Sequence, residues 1–164
     1  MNLILCGMQK SGKTTTGKAL AEVLHCPFVD VDRVIERMDG EELSCREICK
    51  QRGENFFRAL EKNALESLQE VQGSVIALGG GSCLETMHNL GTLIYLKVPV
   101  DTLWERALQG ELPSYLDPHF PKESFYALAK KRFPLYEKAA DLIIDVTLEH
   151  PTPWEVILSA LSLK

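Results

Sequence analysis

An eight-residue loop near the start of the chain, Gly7-Met8-Gln9-Lys10-Ser11-Gly12-Lys13-Thr14, is the segment that says most about the fold. It matches the pattern G-x-x-x-x-G-K-[ST], in which two glycines, a lysine and a hydroxyl stand at fixed spacing. The apolar run over residues 3–6 precedes the loop and predicts a buried parallel strand. Residues 15–24 follow it with apolar side chains along one helical face, so the loop is predicted to join a strand to a helix.

A loop in this position is suited to binding phosphate groups. Glycine lets the backbone pass close to phosphate oxygens, the loop N–H groups converge on them, and the following helix adds its positive dipole end. The ammonium of Lys13 would lie on the β- and γ-phosphates of a nucleotide, and the hydroxyl of Thr14 can bind Mg²⁺. We therefore predict a nucleotide-binding loop that uses Gly7, Lys10, Ser11, Gly12, Lys13, Thr14 and Thr15.

Composition is typical of a globular protein and argues against several partners. The 164 residues suit a single domain, and 45% of them are hydrophobic and 25% charged. The net charge is −5 and the lysines and arginines form no cluster, so we expect no binding to nucleic acid or to an acidic membrane surface. No segment reaches the length of a membrane span and no signal peptide is recognisable, so we expect a cytoplasmic protein, and a monomer.

The cysteines indicate reduced thiols rather than a disulfide framework or a metal site. They are odd in number, and no pair has the spacing of a zinc finger. Cys45 and Cys49 lie one turn apart on a predicted helix, but two ligands without partners make a poor metal site. Free thiols in a reducing compartment are the simpler interpretation for Cys6, Cys26, Cys45, Cys49 and Cys83.

Strands and helices alternate along the chain, which predicts a parallel sheet with helices on both faces. Strands are predicted at residues 3–6, 27–32, 74–78, 92–98 and 141–146. Helices are predicted at 15–24, 33–38, 44–53, 54–69, 100–108, 123–139 and 153–163. Ser44 and Glu47 have the spacing of a capping box, and the helix over 123–139 is expected to be interrupted or to end near Pro134. The proline-containing segment 109–122 is interpreted as a lid.

Two carboxylates close the second predicted strand. Asp30 and Asp32 stand at its C-terminal end, where alternation would place both on one side and where open α/β sheets bind ligands. One carboxylate could hold Mg²⁺ through water, and the other could accept a hydrogen bond from a substrate hydroxyl. The alternative role for Asp32 is a helix N-cap, which is compatible with function.

Three further features could hold an anionic substrate. Arg58, flanked by Glu54 and Glu61, could clamp a carboxylate, although on the pattern alone a solvated surface salt bridge is favoured. The glycines of residues 79–81 let the backbone approach a ligand, or simply form a flexible turn. Arg132 belongs either to the site or to a solvated basic helix end.

Together these motifs resemble the shikimate kinase family. The phosphate loop is followed in order by Phe28-Val29-Asp30-Val31-Asp32, Gly53-Glu54-Asn55-Phe56-Phe57-Arg58-Ala59-Leu60-Glu61, Leu78-Gly79-Gly80-Gly81 and Arg132-Phe133-Pro134-Leu135-Tyr136. The match spans nearly the whole chain, and the combination is far more specific than any one motif. It implies an α/β fold like that of the nucleoside monophosphate kinases: a three-layer α/β/α P-loop NTPase fold with a five-stranded parallel sheet in the order 2-3-1-4-5.

The resemblance also implies an activity. The reaction would transfer the γ-phosphoryl of ATP to the 3-hydroxyl of shikimate, with Mg²⁺, to give shikimate 3-phosphate in chorismate and aromatic amino acid biosynthesis. Carried over onto this chain, Lys13 and Thr14 serve the phosphates and the metal, and Asp30 supports the metal. Asp32 contacts the shikimate hydroxyls and is the candidate catalytic base.

The remaining carried-over residues bind the two substrates. Arg58, Arg132 and the turn formed by Gly79, Gly80 and Gly81 would hold shikimate, the arginines mainly through its carboxylate. The positions that flank adenine in the family are matched by Arg106 and Pro153. The resemblance covers residues 1–164 as one kinase domain, with a substrate-binding region at about 32–62 and the lid at about 109–122.

The lid departs from the pattern of the family. The family usually carries Arg-Pro followed by an apolar residue there, and the arginine reaches the phosphates. This chain has Leu112 at that position, so another cation would have to supply the charge, or the lid contributes little. The candidate replacements are Lys10, Lys122 and Lys130.

Two rival functions follow from the same residues. A kinase of the same fold for another small hydroxylated acid, such as gluconate, is disfavoured by the combination of Asp32, Arg58 and Arg132. A nucleotide-binding module without phosphoryl transfer is supported only by the missing lid arginine, because Lys13, Thr14 and Asp32 are all present.

Overall fold

The computed structural model describes residues 1–82, 84, 87–146 and 152–162, and within them the chain forms a five-stranded sheet. The strands are β1 (Asn2–Cys6), β2 (Phe28–Asp30), β3 (Val75–Ala77), β4 (Gly91–Lys97) and β5 (Leu142–Asp145). They pair in the order β2-β3-β1-β4-β5, and every pair is parallel. The predicted sheet and strand order are therefore confirmed.

Seven α-helices in the described residues connect and cover the strands. They are α1 (Lys13–Val23), α2 (Val31–Asp39), α3 (Cys45–Arg52), α4 (Glu54–Ser67), α5 (Val100–Leu108), α6 (Pro121–Ala139) and α7 (Pro153–Ala160). None of the helices described is both long and apolar enough to cross a bilayer. The described cysteines are free, and Cys83 lies outside the described residues.

The central strand shows why the sheet is covered on both faces. All five residues of β1 are buried, and side chains alternate across a strand, so the strand contributes to two cores. Ile4 and Cys6 pack in the larger core, which includes Phe125 of α6. Leu3 and Leu5 pack in the smaller core on the opposite face, formed by residues that include Leu20 of α1 and Ile157 of α7.

The second strand is shorter than predicted, and this corrects the position of one candidate site residue. β2 ends at Asp30, and α2 begins at Val31, so Asp32 lies in the first turn of a helix and not on the strand. The N-cap is Asp30, whose Oδ1 accepts a hydrogen bond from the backbone N–H of Asp32 at 3.1 Å. The predictions that strand alternation pairs the two carboxylates and that Asp32 is the cap are therefore wrong.

Helix α6 also differs from the prediction, because it runs unbroken through Pro134. A proline inside a helix removes one backbone hydrogen bond and crowds the preceding turn. Three buried side chains along α6 hold the helix against the rest of the molecule on both sides of the proline: Phe125, Ala129 and Tyr136. Packing therefore outweighs the local preference, and α6 begins at Pro121, two residues before the predicted start.

Two helices of the predicted substrate-binding region, α3 and α4, begin where the sequence indicates. Ser44 caps α3, and the reciprocal bond from its backbone N–H to Glu47 completes the predicted capping box. Gly53 separates α3 from α4 at a φ of 90°, a conformation that favours glycine. The chain therefore turns sharply at Gly53, and this turn orients the first turns of α4, where Arg58 lies.

Candidate functional site

The phosphate loop wraps around the side chain of Lys13. The ammonium donates hydrogen bonds to the backbone oxygens of Gly7 and Met8, both at 2.8 Å. Gly12 has a φ of 90°, which only glycine adopts easily, and α1 begins at the next residue. The loop thus brings a lysine and a helix N-terminus to the same place, which is the arrangement that binds nucleotide phosphates.

Lys13 is destabilised as a cation in the ligand-free protein. Burial lowers the pKa of Lys13 to about 8, and the carboxylate of Asp32 opposes this shift. The negative charge of bound phosphates would favour the ammonium in the same way as a neighbouring carboxylate does. A bound anion would therefore raise the pKa of Lys13 again and offset the cost of burying its ammonium.

Thr14 and Asp30 form the part of the site suited to a metal ion. The Thr14 hydroxyl donates to Asp30 Oδ2 at 3.3 Å, and Thr14 is exposed at the start of α1. Hydroxyl and carboxylate oxygens are the ligands that Mg²⁺ prefers, and the ion usually keeps several waters beside one or two protein ligands. The donor set therefore fits Mg²⁺.

Asp32 faces the same region and holds a proton more readily than an ordinary aspartate. Burial, followed by the nearby carboxylate of Asp30, raises the pKa of Asp32, while Lys13 opposes the shift. A cleft of about 670 Å³ lies beside these carboxylates and Thr14. A carboxylate with a raised pKa beside an open cleft is a candidate general base.

The turn after β3 brings the predicted substrate-binding residues together. A Cβ placed on Gly79 would lie 2.9 Å from Oδ1 of Asp32. A Cβ placed on Gly81 would lie 2.9 Å from Nη2 of Arg132 and 3.0 Å from Nη2 of Arg58. These glycines therefore let one carboxylate and two guanidinium groups converge on the backbone, which a larger residue would prevent.

Arg58 is held in place by a buried acid. Its Nη1 lies 2.7 Å from Glu61 Oε2, and Glu61 is only 6% exposed and accepts a second hydrogen bond from Ser82 at 2.9 Å. Glu54 lies farther away, at 3.9 Å. The alternative of a solvated surface salt bridge does not fit, because one partner is buried. The sequence did not reveal the role of Ser82, since a lone serine after a glycine turn carries no pattern.

Arg132 is surrounded by aromatic side chains. Its guanidinium carbon lies 5.8 Å from the ring centre of Tyr115, which belongs to the predicted lid. One helical turn along α6, the hydroxyl of Tyr136 donates to the backbone oxygen of Gly80, so α6 is tied to the glycine turn. The alternative of a solvated helix end therefore does not fit Arg132, which faces the turn and the lid.

In the segment predicted as a lid, apolar side chains pack against the core and one acidic side chain pairs with α3. Leu116 is buried, and Leu112 is half-buried against the larger core. Glu111 forms an ion pair with Arg46 of α3 at 2.7 Å. The segment ends at Phe120, because α6 starts at Pro121. Leu112, at the position where the family carries an arginine, therefore packs against the larger core.

The two residues predicted to flank adenine lie on separate elements. Nη1 of Arg106 donates to the backbone oxygen of Lys10 at 2.9 Å, which joins α5 to the phosphate loop. Pro153 occupies the first turn of α7, the helix whose Ile157 shares the smaller core with α1. Arg106 thus lies beside the phosphate loop. Pro153 is the first residue of α7, and its described surroundings do not connect it to that loop.

Comparison with known proteins matches the sequence to one family. The family model described as shikimate kinase matches residues 9–162. A shikimate kinase of Thermodesulfovibrio yellowstonii is 39% identical over 160 residues, which cover 94% of this chain and 90% of that protein. One of Actinobacillus pleuropneumoniae serotype 5b is 36% identical over 148 residues, which cover 87% of this chain and 84% of the relative.

Solved structures give the same result. The shikimate kinase from Acinetobacter baumannii in complex with shikimate superposes with a TM-score of 0.86 at 30% identity, over 98% of this chain and 93% of that one. Deoxyadenosine kinase from M. mycoides with bound dATP is only 13% identical, and its TM-score of 0.68 shows a shared fold alone. With the family model and the relatives above, these matches show that the chain belongs to the shikimate kinase family.

Proposed function

We propose that the protein transfers the γ-phosphoryl of ATP to the 3-hydroxyl of shikimate. The observation that carries this proposal is the convergence of Arg58, Arg132 and Asp32 on the turn of residues 79–81. Two guanidinium groups suit a carboxylate, and an aspartate beside them suits hydroxyl groups. Shikimate carries both kinds of group on one ring. A simple polyol kinase would have no use for the paired arginines.

In the proposed reaction, the shikimate 3-oxygen attacks the γ-phosphorus. The bond between that phosphorus and the oxygen of the β-phosphate breaks, ADP leaves, and the hydroxyl proton passes to the carboxylate of Asp32. The raised pKa of Asp32 favours this transfer. Lys13 stabilises the negative charge on the β- and γ-phosphates, and the remaining loop residues hold the nucleotide through their backbone N–H groups.

The proposed metal is Mg²⁺, held by the hydroxyl of Thr14 and, through water, by Asp30. When bound, the ion would supply positive charge that offsets the negative charge of the nucleotide phosphates. The separation of Thr14 and Asp30, 3.3 Å between their oxygens, supports a shared ion. Arg106 and Pro153 are proposed to flank the adenine.

We also propose the organisation of the chain as one kinase domain, residues 1–164, with a substrate-binding region at about 32–62 and a lid at about 109–122. A cytoplasmic monomer without nucleic-acid partners remains our proposal for the state of the protein. The free thiols of the described cysteines support a reducing compartment. Light scattering during gel filtration would test the monomer directly.

An acceptor panel tests the substrate. ADP release is followed in a coupled assay with shikimate, quinate, gluconate and no acceptor, each over a range of concentrations. The proposal predicts saturable turnover with shikimate and at least about a hundredfold lower kcat/KM with gluconate, which lacks the ring that presents carboxylate and hydroxyls together. Preference for gluconate would support the rival kinase, and the absence of ADP release with every acceptor, from a protein that still binds ATP, would support the binding module.

Replacing Gly81 with alanine should weaken shikimate binding without unfolding the protein. The new methyl would lie about 3 Å from the guanidinium groups of both Arg58 and Arg132, so these side chains would have to move. Both groups are the ends of flexible side chains, and Gly81 does not have a positive φ, so the effect on stability should be small. We expect KM for shikimate to rise several-fold with KM for ATP unchanged. Equal changes in both constants would place Gly81 outside the shikimate site.

A further inference from the structure

The loop that precedes α6 in the predicted lid has no cation to place on the transferred phosphoryl group. Residues 110–120 contain neither lysine nor arginine, and Glu111 is already paired with Arg46. Leu112, at the position where the resemblance predicts an arginine, is half-buried against the larger core. Positive groups placed where transition-state charge develops lower the barrier to transfer, and a cation that replaces the lid arginine has to come from another element.

The phosphate loop contains a residue whose backbone is unusual. Lys10 has a φ of 67°, in the left-handed region where glycine is the default residue. Its backbone oxygen accepts a hydrogen bond from Arg106 at 2.9 Å, which fixes this conformation. Residues held in such conformations concentrate at functional sites. A glycine would fit this backbone better, so the lysine adopts the conformation at a cost.

The side chain of Lys10 extends from the phosphate loop towards the base of the lid. A Cβ placed on Gly110 would lie 3.6 Å from its Nζ. Among the residues that the structure describes, no carboxylate lies within ion-pairing distance of Lys10. Beside the phosphate loop there is thus an exposed ammonium that has no acidic partner in the part of the chain that the structure describes.

The other candidate cations are less well placed. Lys122 lies with its ammonium 5.6 Å from the ring centre of Tyr126, on α6. Lys130 is exposed on the same helix. Arg132 faces Gly81 and Tyr115, in the proposed shikimate site. Of these side chains, only Lys10 belongs to the loop that binds the phosphates.

We propose that Lys10 replaces the missing lid arginine and places its ammonium on the γ-phosphoryl of ATP during transfer. This inference rests on the proposed function, since it assigns a residue to the same reaction. The lid then closes over a charge that comes from the phosphate loop. The contact forms with the γ-phosphate only, so Lys10 discriminates ATP from ADP and stabilises the transition state.

The test uses Lys10→Gly, which removes the charge and suits the backbone. We expect kcat to fall at least about tenfold while KM for shikimate stays within twofold. Affinity for a non-hydrolysable ATP analogue should fall and affinity for ADP should not. The melting temperature should be unchanged or higher, because glycine tolerates the left-handed conformation. Lys10→Arg, which retains the charge, should keep most of the turnover.

Matched controls are Lys122→Ala and Lys130→Ala, which should retain wild-type kcat. A Lys10→Gly enzyme with wild-type kcat would overturn the inference, and so would an equal loss of ADP and ATP-analogue affinity. The two nucleotide affinities are measured without shikimate. They therefore test Lys10 even if the acceptor proves to be a different hydroxy acid, whereas the acceptor panel tests the proposed function itself.

Discussion

Lys13→Ala is expected to abolish phosphoryl transfer while the protein remains folded. The phosphate loop surrounds the Lys13 ammonium, which donates hydrogen bonds to the backbone oxygens of Gly7 and Met8, both at 2.8 Å. Removing one preorganised charge from a transition state typically costs about a hundredfold to a thousandfold in kcat. We expect a loss at or above this range, because Lys13 is proposed to contact both the β- and the γ-phosphate, whereas Lys10 is proposed to reach the γ-phosphoryl alone.

The fold should tolerate this substitution. Burial lowers the pKa of Lys13 to about 8, which means that burying the ammonium lowers the stability of the folded protein. Turnover is measured in the coupled assay and folding by circular dichroism and thermal melting. Lys50→Ala, an exposed lysine at the end of α3, is the control and should behave like the wild type. Near-wild-type turnover of Lys13→Ala would show that the loop is not catalytic.

The second large effect is expected at the two arginines. Arg58→Ala and Arg132→Ala should each weaken shikimate binding by at least about tenfold, with ATP affinity nearly unchanged. Truncating one partner of a buried charge pair costs about 2–5 kcal/mol, and about 1.4 kcal/mol corresponds to a factor of ten in affinity. Isothermal titration with shikimate and, separately, with ATP measures both constants. Equal losses for both ligands would place the arginines outside the shikimate site.

Two further variants separate binding from stability. Arg58→Ala leaves the buried carboxylate of Glu61 with Ser82 as its one partner among the described residues, so the variant should melt at a lower temperature. Arg58→Ala/Glu61→Gln removes the unpaired charge as well and should lose shikimate affinity to the same extent with less destabilisation. Arg58→Lys keeps the charge without the planar fork and should give an intermediate loss.

The fold was largely predictable because its signals are local and repeated. Each strand is a short apolar run, each helix has an apolar face, and the phosphate loop marks the junction of the first strand and helix. The prediction was wrong where two local rules competed. Asp30 ends β2 because its side chain caps α2, so Asp32 lies on a helix. Pro134 fails to end α6 because Phe125, Ala129 and Tyr136 are buried on both sides of it.

The arrangement of the site was less predictable, because it depends on contacts between distant elements. The pairing of Arg58 with an acid was visible at helical spacing, but the burial of Glu61 and its bond from Ser82 were not. The approach of Arg132 to Gly81 joins residues 51 positions apart. No periodicity reports such a contact, and here the resemblance to a family supplied what spacing alone could not.

The most direct test of the central claim is the identity of the phosphorylated product. The purified protein is incubated with ATP, Mg²⁺ and shikimate, and the product is examined by phosphorus–proton correlation NMR, which reports the carbon that bears the phosphate. We expect one ADP per shikimate consumed and a single phosphate ester at the 3-oxygen. An ester at another oxygen, or no shikimate-dependent ADP from the folded protein, would contradict it.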